Sequence, residues 1–263
     1  MGKSLNLKVS NEFSSYRIKK ILSMVNVQDD EIYIFKAYTI VDYISASRFI
    51  KKEYIRSGIK KEGDKGFICN KMLVNTGSSL FIAQRGGCII GTISIIADTD
   101  LGIPCRELFK DDVDAIISEQ DKAYEIGTLS TTCLCKDNSI VFNMYFHAFI
   151  HCVLSKNIDV IFIQVQEKHV KFYTNNLFFK RASETKSHPE YNDINAVLLS
   201  IDVKGFKRML TTDSCFFFGI GRMLHALNMR NKVNQVLKDE ASLATSSLSN
   251  DDKSVYRFLC EID

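Results

Sequence analysis

Glu125 is the residue whose type and setting in this sequence most invite a proton-transfer role. It stands in Ala123–Thr132, a segment that reads as a strand near the centre of a sheet. A carboxylate held there can accept a proton from an amine, directly or through one water. The other reading is a structural carboxylate that pairs with an Arg or caps a helix, and the residues alone weigh the two evenly. Arg48 falls on a helical stretch and suits bidentate binding of a carboxylate; the alternative is a solvated member of a basic run. His169 and Tyr173 are four apart and share a helical face, where they either line a site or brace the helix against a sheet. His147 and His151 have the same spacing, but without the His-Glu-x-x-His pattern or a third ligand they read as helix packing. Cys133 and Cys135 form a C-x-C with no second pair, so no metal site is expected. Gly219-Ile220-Gly221 reads as a close helix–helix contact.

The elements that must position these groups follow from periodicity. Residues 31–37 alternate and carry β-formers, predicting a first strand. Asp42 to Ser57 has apolar residues at helical spacing and is stopped by Gly58. Ser78–Gln84 and Cys88–Ala97 are apolar runs joined through Arg85-Gly86-Gly87, a hairpin signal. Arg106–Gln120 reads as a helix, Ala123–Thr132 as a strand and Ser139–Lys156 as a helix. The continuous apolar run Val160–Val165 has the pattern of a fully buried strand. A short helix over His169–Asn176 and a last strand over Ala196–Val203 complete the series. This order predicts an α/β (α+β) fold with a mixed central sheet flanked by helices. Three parts are expected: an N-terminal extension over 1–30, the main domain over 31–203, and a C-terminal helical extension over 204–263 containing a Ser-rich link at Ser242–Ser249.

The chain has 263 residues, 46% hydrophobic and 25% charged, the balance of an ordinary globular protein. No apolar run reaches the roughly 18 residues that span a bilayer. The first residues lack the apolar core of a secretory leader, so the cytoplasm is the expected location. Eight cysteines at this length do not make a disulfide framework, and Cys88 and Cys152 fall in apolar segments where a thiol packs like a small hydrophobe. Net charge is only +3, but Arg48–Lys71 and Lys204–Lys238 are strongly basic. Such stretches either attract an anionic partner or form solvated faces. Nucleic acid is not the expected partner, because the aromatic residues lie in apolar segments and not among the basic ones. The apolar Cys215–Met229 stretch, flanked by basic residues, packs on the main domain in the first reading; a peripheral membrane contact is the second.

Four segments, in order and spacing, resemble the long-chain N-acyl amino acid synthases, GNAT-like acyltransferases related to the acyl-homoserine lactone synthases. The first is Ser47-Arg48-Phe49 through Tyr54-Ile55-Arg56-Ser57-Gly58. The second is the hairpin into Gly91-Thr92-Ile93, with Asp98, Leu101-Gly102-Ile103-Pro104 and Leu108-Phe109. Tyr124-Glu125-Ile126-Gly127-Thr128-Leu129-Ser130 is the third. The fourth is Glu167-Lys168-His169 with Phe172-Tyr173 and Leu177-Phe178-Phe179. Gly127, Thr128 and Phe178 stand where the family has Ser, Arg and Gly.

The resemblance covers about residues 31–203 and implies a GNAT-like fold that transfers a fatty acyl chain to the amine of an amino acid or similar small amine. It points to Glu125 as the acidic catalytic residue. It also implies a substrate-binding set of Arg48, Tyr54, Thr128, Ser130, His169, Phe172 and Tyr173, and no permanently bound cofactor. The co-substrate would be an acyl-phosphopantetheine thioester, on acyl carrier protein or on CoA. The junction Thr131–Asn138 contains no glycine, whereas acetyl-CoA users of this class carry a Gly-rich pyrophosphate loop there. With the basic stretches, this favours an acidic acyl carrier protein as partner. Two other readings stay open: a CoA-dependent GNAT N-acetyltransferase, and a catalytically silent module that binds lipid or acyl carrier protein.

Overall fold

The computed structural model describes residues 32–63, 70–132, 139–152, 158–177, 179–205 and 248–261. The N-terminal extension, Cys133, Cys135, the Cys215–Met229 stretch and its Gly219-Ile220-Gly221 motif lie outside the described residues. Strand β1 (Ile32–Lys36) leads into helix α1 (Ile40–Arg56). A 3-10 turn (Lys71–Val74) precedes β2 (Ser79–Arg85) and β3 (Cys88–Ala97). Then come α2 (Arg106–Asp114), β4 (Ala123–Thr131), α3 (Ser139–Ile150) and β5 (Val160–Gln166). A 3-10 turn (Glu167–His169) leads into α4 (Val170–Asn176) and the short strands β6 (Lys180–Arg181) and β7 (Lys186–His188). A last 3-10 turn (Pro189–Tyr191) precedes β8 (Ile194–Asp202), and α5 (Asn250–Glu261) closes the described chain. The sheet has eight strands in the order β1-β2-β3-β4-β5-β8-β6, with β7 also paired to β8. Every pair is antiparallel except β4–β5.

Local chemistry sets the boundaries. α1 starts two residues before the expected Asp42, because Thr39 caps it and Asp42 fills the third position. Thr39 Oγ1 accepts from the Asp42 N–H at 3.2 Å, and Asp42 Oδ2 accepts from the Thr39 N–H at 2.9 Å, a reciprocal capping box. The hairpin turns at Gly86 (φ 54°) and Gly87 (φ 76°), where two left-handed residues match the strand twist. α2 ends at Asp114, short of the expected Gln120. Asp121 instead draws the backbone N–H and hydroxyl of Ser118 into a separate turn, at 2.9 and 2.8 Å. The expected strand over Ala196–Val203 begins two residues earlier, at Ile194.

Both faces of the sheet are covered, which is why β5 begins with the unbroken apolar run Val160–Ile163 and not with an alternating pattern. On one face Ile93, Ile95, Ile126, Ile161 and Ile163 pack with Met144 and Ala148 of α3 and Val170 of α4. On the other Leu80, Ile82, Ile96, Phe162 and Leu198 pack with Tyr43 and Ala46 of α1, Phe109 and Val113 of α2, and Tyr256 of α5. Full burial of each such side chain stabilises the fold by about 1.5–3 kcal/mol before entropy is subtracted. His147 and His151 both set their rings edge-on to Phe81 at 5.2 Å, and His151 Nε2 lies 3.3 Å from Ser79 Oγ. Cys152 is buried as expected, but Cys88 opens β3 beside the hairpin turn and is exposed. Among the described residues no helix is long and apolar enough to cross a membrane.

α5 belongs to this core. Tyr256 is fully buried, meets Tyr43 edge-on at 5.3 Å, and its hydroxyl lies 3.4 Å from Ser47 Oγ. Replacing Tyr256 by Ala should cost about 3–5 kcal/mol through the cavity it leaves. Tyr256→Phe should cost only about 1 kcal/mol, for one hydrogen bond. Urea unfolding of the two variants against the wild type checks this; equal, small losses would mean that α5 is peripheral.

Candidate active site

Strands β4 and β5 pair only over Ala123↔Val160, Tyr124↔Ile161 and Glu125↔Phe162. Beyond that register they no longer bond to each other. β4 stays paired to β3 as far as Thr131, and β5 stays paired to β8 as far as Gln166. Peptide groups of β4 that point towards β5 past Glu125 therefore have no strand opposite them, which leaves donors for an oxygen in the gap. A cavity of about 560 Å³ lies there. Its sides are residues 126–131 of β4 and 163–166 of β5, with α1 contributing from one face of the sheet and α3 and α4 from the other.

Glu125 sits at the last paired position and is 3% exposed. Its Oε2 accepts from the backbone N–H of Cys105 at 2.6 Å, and its Oε1 accepts from Gln164 Nε2 at 3.0 Å. Burial pushes the Glu125 carboxyl up to about 7, while the Gln164 and Cys105 donors pull the other way. No cation is bonded to it among the described residues. It therefore exchanges a proton near neutral pH, as a general base must. Burial and the nearby Glu125 push the Tyr54 phenol up to about 12, so that phenol stays protonated. The Cys105 thiol is raised far above its ordinary range, first by burial and then by Glu125, and is no nucleophile.

β4 carries a bulge beside Glu125. Ser94 stands opposite Gly127 and Thr92 opposite Ser130, so two residues of β4 face the single Ile93. Thr128 takes a left-handed φ of 46°, a strained conformation for a β-branched residue that costs on the order of 1–3 kcal/mol. Thr92 Oγ1 donates to the Thr128 carbonyl at 2.9 Å and holds the bulge in place. The hydroxyls of Ser94, Thr128 and Ser130 are buried with no hydrogen-bond partner among the described residues. Two of these, Thr128 and Ser130, line the cavity and make it a place for a polar ligand.

Of the residues singled out in the sequence, Tyr54, Thr128, Ser130, His169, Phe172 and Tyr173 line this cavity. Glu125 stands directly behind its lining residue Gln164. Tyr173 and Phe172 come from the α3/α4 face, in an aromatic cluster with Tyr145 at 5.7 Å and Phe142 at 5.4 Å. Burial and then Tyr54 raise the Tyr173 phenol. His169 is held below its ordinary value by partial burial and by Lys168. Arg48 is elsewhere: it lies on the exposed side of α1 and does not line the cavity.

The structure adds Glu53, Arg56, Gln164, His188 and Tyr191. Glu53 is buried and ion-paired to Arg56, which also donates to the Thr131 carbonyl at 3.3 Å. The signal for Gln164 was in the sequence, as the one polar residue inside Val160–Val165. His188 and Tyr191 arrive through β7 and its 3-10 turn, for which no periodicity exists. Lys186 fastens β7 to α2: its ammonium donates to Asp112 at 2.8 Å and lies 4.9 Å from the centre of the Phe109 ring.

A search of curated protein sequences finds no match. Among solved structures, FeeM, an N-acyl amino acid synthase from uncultured soil microbes, superposes with a TM-score of 0.57. It is 19% identical over 67% of this chain and 93% of its own. Looser overlaps are TofI, solved in a ternary complex with an inhibitor and MTA (TM-score 0.49, 11% identity, 71% of this chain and 99% of that chain), and a GNAT-family acetyltransferase from Streptococcus pneumoniae (0.48, 14%, 65% and 99%). The FeeM superposition shows a GNAT fold, and the family described as N-acyl amino acid synthase FeeM matches residues 45–202. That span is more than half of the chain and holds both strands that part beside Glu125: the chain belongs to the N-acyl amino acid synthase FeeM family and is an N-acyltransferase.

Proposed function

We propose that this N-acyltransferase moves a fatty acyl group from an acyl carrier protein thioester to the amine of an amino acid, with Glu125 as general base. The observation that carries the reading is Glu125 itself, a buried carboxyl that titrates near 7 at the point where β4 and β5 part. The acceptor arrives as an ammonium and must lose a proton before it can attack. Glu125 takes that proton, directly or through one water. The amine nitrogen then bonds to the thioester carbonyl carbon, and the β4 peptide N–H groups facing the gap stabilise the oxygen. The C–S bond breaks and the amide leaves; of the two protons the ammonium nitrogen gives up, one ends on the carrier thiol and the other passes to solvent. Thr128 and Ser130 offer hydroxyls to the polar parts of the pantetheine arm, and Phe172 and Tyr173 an apolar wall to the acyl chain. Arg48, Lys51, Lys52, Lys60 and Lys61 on and after α1 suit an acidic carrier protein. The glycine-free Thr131–Asn138 junction supports the carrier over CoA. We place the catalytic domain at 31–203 and reaction in the cytoplasm.

Glu125→Gln should keep the fold. The new amide accepts from the Cys105 N–H, and its NH2 donates to Gln164 once that amide turns over its unpartnered Oε1. Turnover should fall by about 10²–10⁴-fold. Mass spectrometry of products from purified enzyme, given acyl carrier protein or acyl-CoA donors and a panel of amino acids, checks donor, acceptor and base together. Transfer from CoA alone would overturn the carrier assignment, and full activity in the variant would remove Glu125 from the mechanism.

The pH dependence has a fixed sign. The working form is the carboxylate, so kcat/KM should rise with pH along a limb centred at about 7. Gln164→Leu removes a donor that favours the carboxylate, and should move that limb upward by about one pH unit. A downward shift would contradict the hydrogen-bond assignment.

The same raised value makes a stability statement. The protonated carboxyl is the form the folded chain favours, so its contribution is complete below the ordinary value of 4.5 and is lost as pH rises through about 7. Across that window Glu125→Gln should gain stability relative to the wild type, read by thermal unfolding at several pH values. A constant difference would show that Glu125 titrates normally.

A further inference from the structure

His188 ends β7 in the wall of the cavity and is 6% exposed. Its ring stacks at a tilt on Tyr191, centroids 4.4 Å apart. Its Nδ1 is buried and has no hydrogen-bond partner among the described residues. A buried imidazole left without a partner is costly and calls for a ligand group to complete it. Charges face it from two elements: Lys60, after α1, lowers its affinity for a proton, and Glu190, in its own turn, raises it; burial is the largest influence and keeps the ring neutral. The neutral tautomer with hydrogen on Nδ1 is a donor.

The surroundings are built to hold this corner. The Lys60 ammonium stands over the Tyr191 ring, 5.4 Å from its centre. Tyr191 meets Tyr54 edge-on at 5.9 Å. Asn192 and Asp193 both take left-handed φ values, 55° and 54°, and Asn192 Nδ2 donates to the Gly58 carbonyl at 3.4 Å, tying the turn to the end of α1. Glu125 acts electrostatically on both Tyr54 and Tyr191, so this corner adjoins the general base. The cavity wall thus offers the His188 imidazole, with the Lys60 ammonium against its stacking partner Tyr191 and the Glu125 carboxyl behind Gln164. An α-amino acid is the complement of that arrangement, with its carboxylate towards His188 and its amine towards Glu125. Arg48, the sequence-level candidate for the carboxylate, lies outside the cavity.

We infer that His188, supported by Lys60, holds the carboxylate of the amino-acid acceptor and so sets the preference for α-amino acids over simple amines. The inference rests on the amino-acid reading of the acceptor given above. The test compares purified full chain and variants on two acceptors: an amino acid turned over by the wild type, and the decarboxylated amine with the same side chain. His188→Leu should raise KM for the amino acid on the order of 10- to 100-fold with kcat little changed, and leave the amine's kcat/KM within about twofold. His188→Asn, which keeps an N–H near the Nδ1 position, should recover most of the loss, and Lys60→Met should show a smaller loss of the same selectivity. Equal losses on both acceptors, or none, would overturn the assignment while leaving the amino-acid reading standing. A wild type that acylates amines but no carboxylate-bearing one would overturn both.

Discussion

The pairing of β4 with β5 stops at Glu125↔Phe162, and the proposed chemistry depends on that stop. Two neighbouring strands ordinarily exchange peptide hydrogen bonds to their ends. Here each keeps its outer partner and loses its inner one, so the backbone stays satisfied on one edge and turns its other edge towards a ligand. The side chain at the fork is then unavoidably buried. Because it is a carboxyl with two neutral donors and, among the described residues, no bonded cation, its proton is poised near neutrality. A salt-bridged carboxylate in the same place would be a weak base.

The fork also sets what the rest of the fold must do. The bulge that turns Thr128 is on β4, and β3 holds it with Thr92, which bonds the Thr128 carbonyl. α1 brings Tyr54 to one side and is itself held by Tyr43, Ala46 and Ile50 in the core and by Tyr256 of α5. α4 brings Phe172 and Tyr173 to the other side against the α3 aromatics. Each contributor is fixed by ordinary packing, so the strain at Thr128 is carried by a well-determined surround.

Much of this was legible in the residues. Continuous apolar runs gave β3 and β5, and the Gly86-Gly87 pair gave the hairpin, because these signals are local. The α1 start was misplaced by two residues because apolar spacing places a helix without marking its cap; the structure shows Thr39 in that role. β6 and β7 were missed, being two and three residues long and specified by pairing with β8 and not by pattern. The same reason hid His188 and Tyr191, whose place in the cavity depends on long-range pairing. Tyr54 and Thr128 were reached through resemblance and Tyr173 already by its spacing from His169, and Arg48 shows the limit of a motif: its position fixes an element, while the helical phase decides which way the side chain faces.

The cavity takes its walls from both faces of the sheet, Tyr54 from one and Tyr173 from the other. A slot that passes between two strands can be filled from opposite sides. An acyl donor and an amine acceptor then need not share a doorway, and neither has to depart before the other arrives. Such an arrangement belongs with a ternary complex and not with a relay through an acylated protein. Double-reciprocal initial-rate lines that intersect are its steady-state signature; parallel lines would belong to the relay.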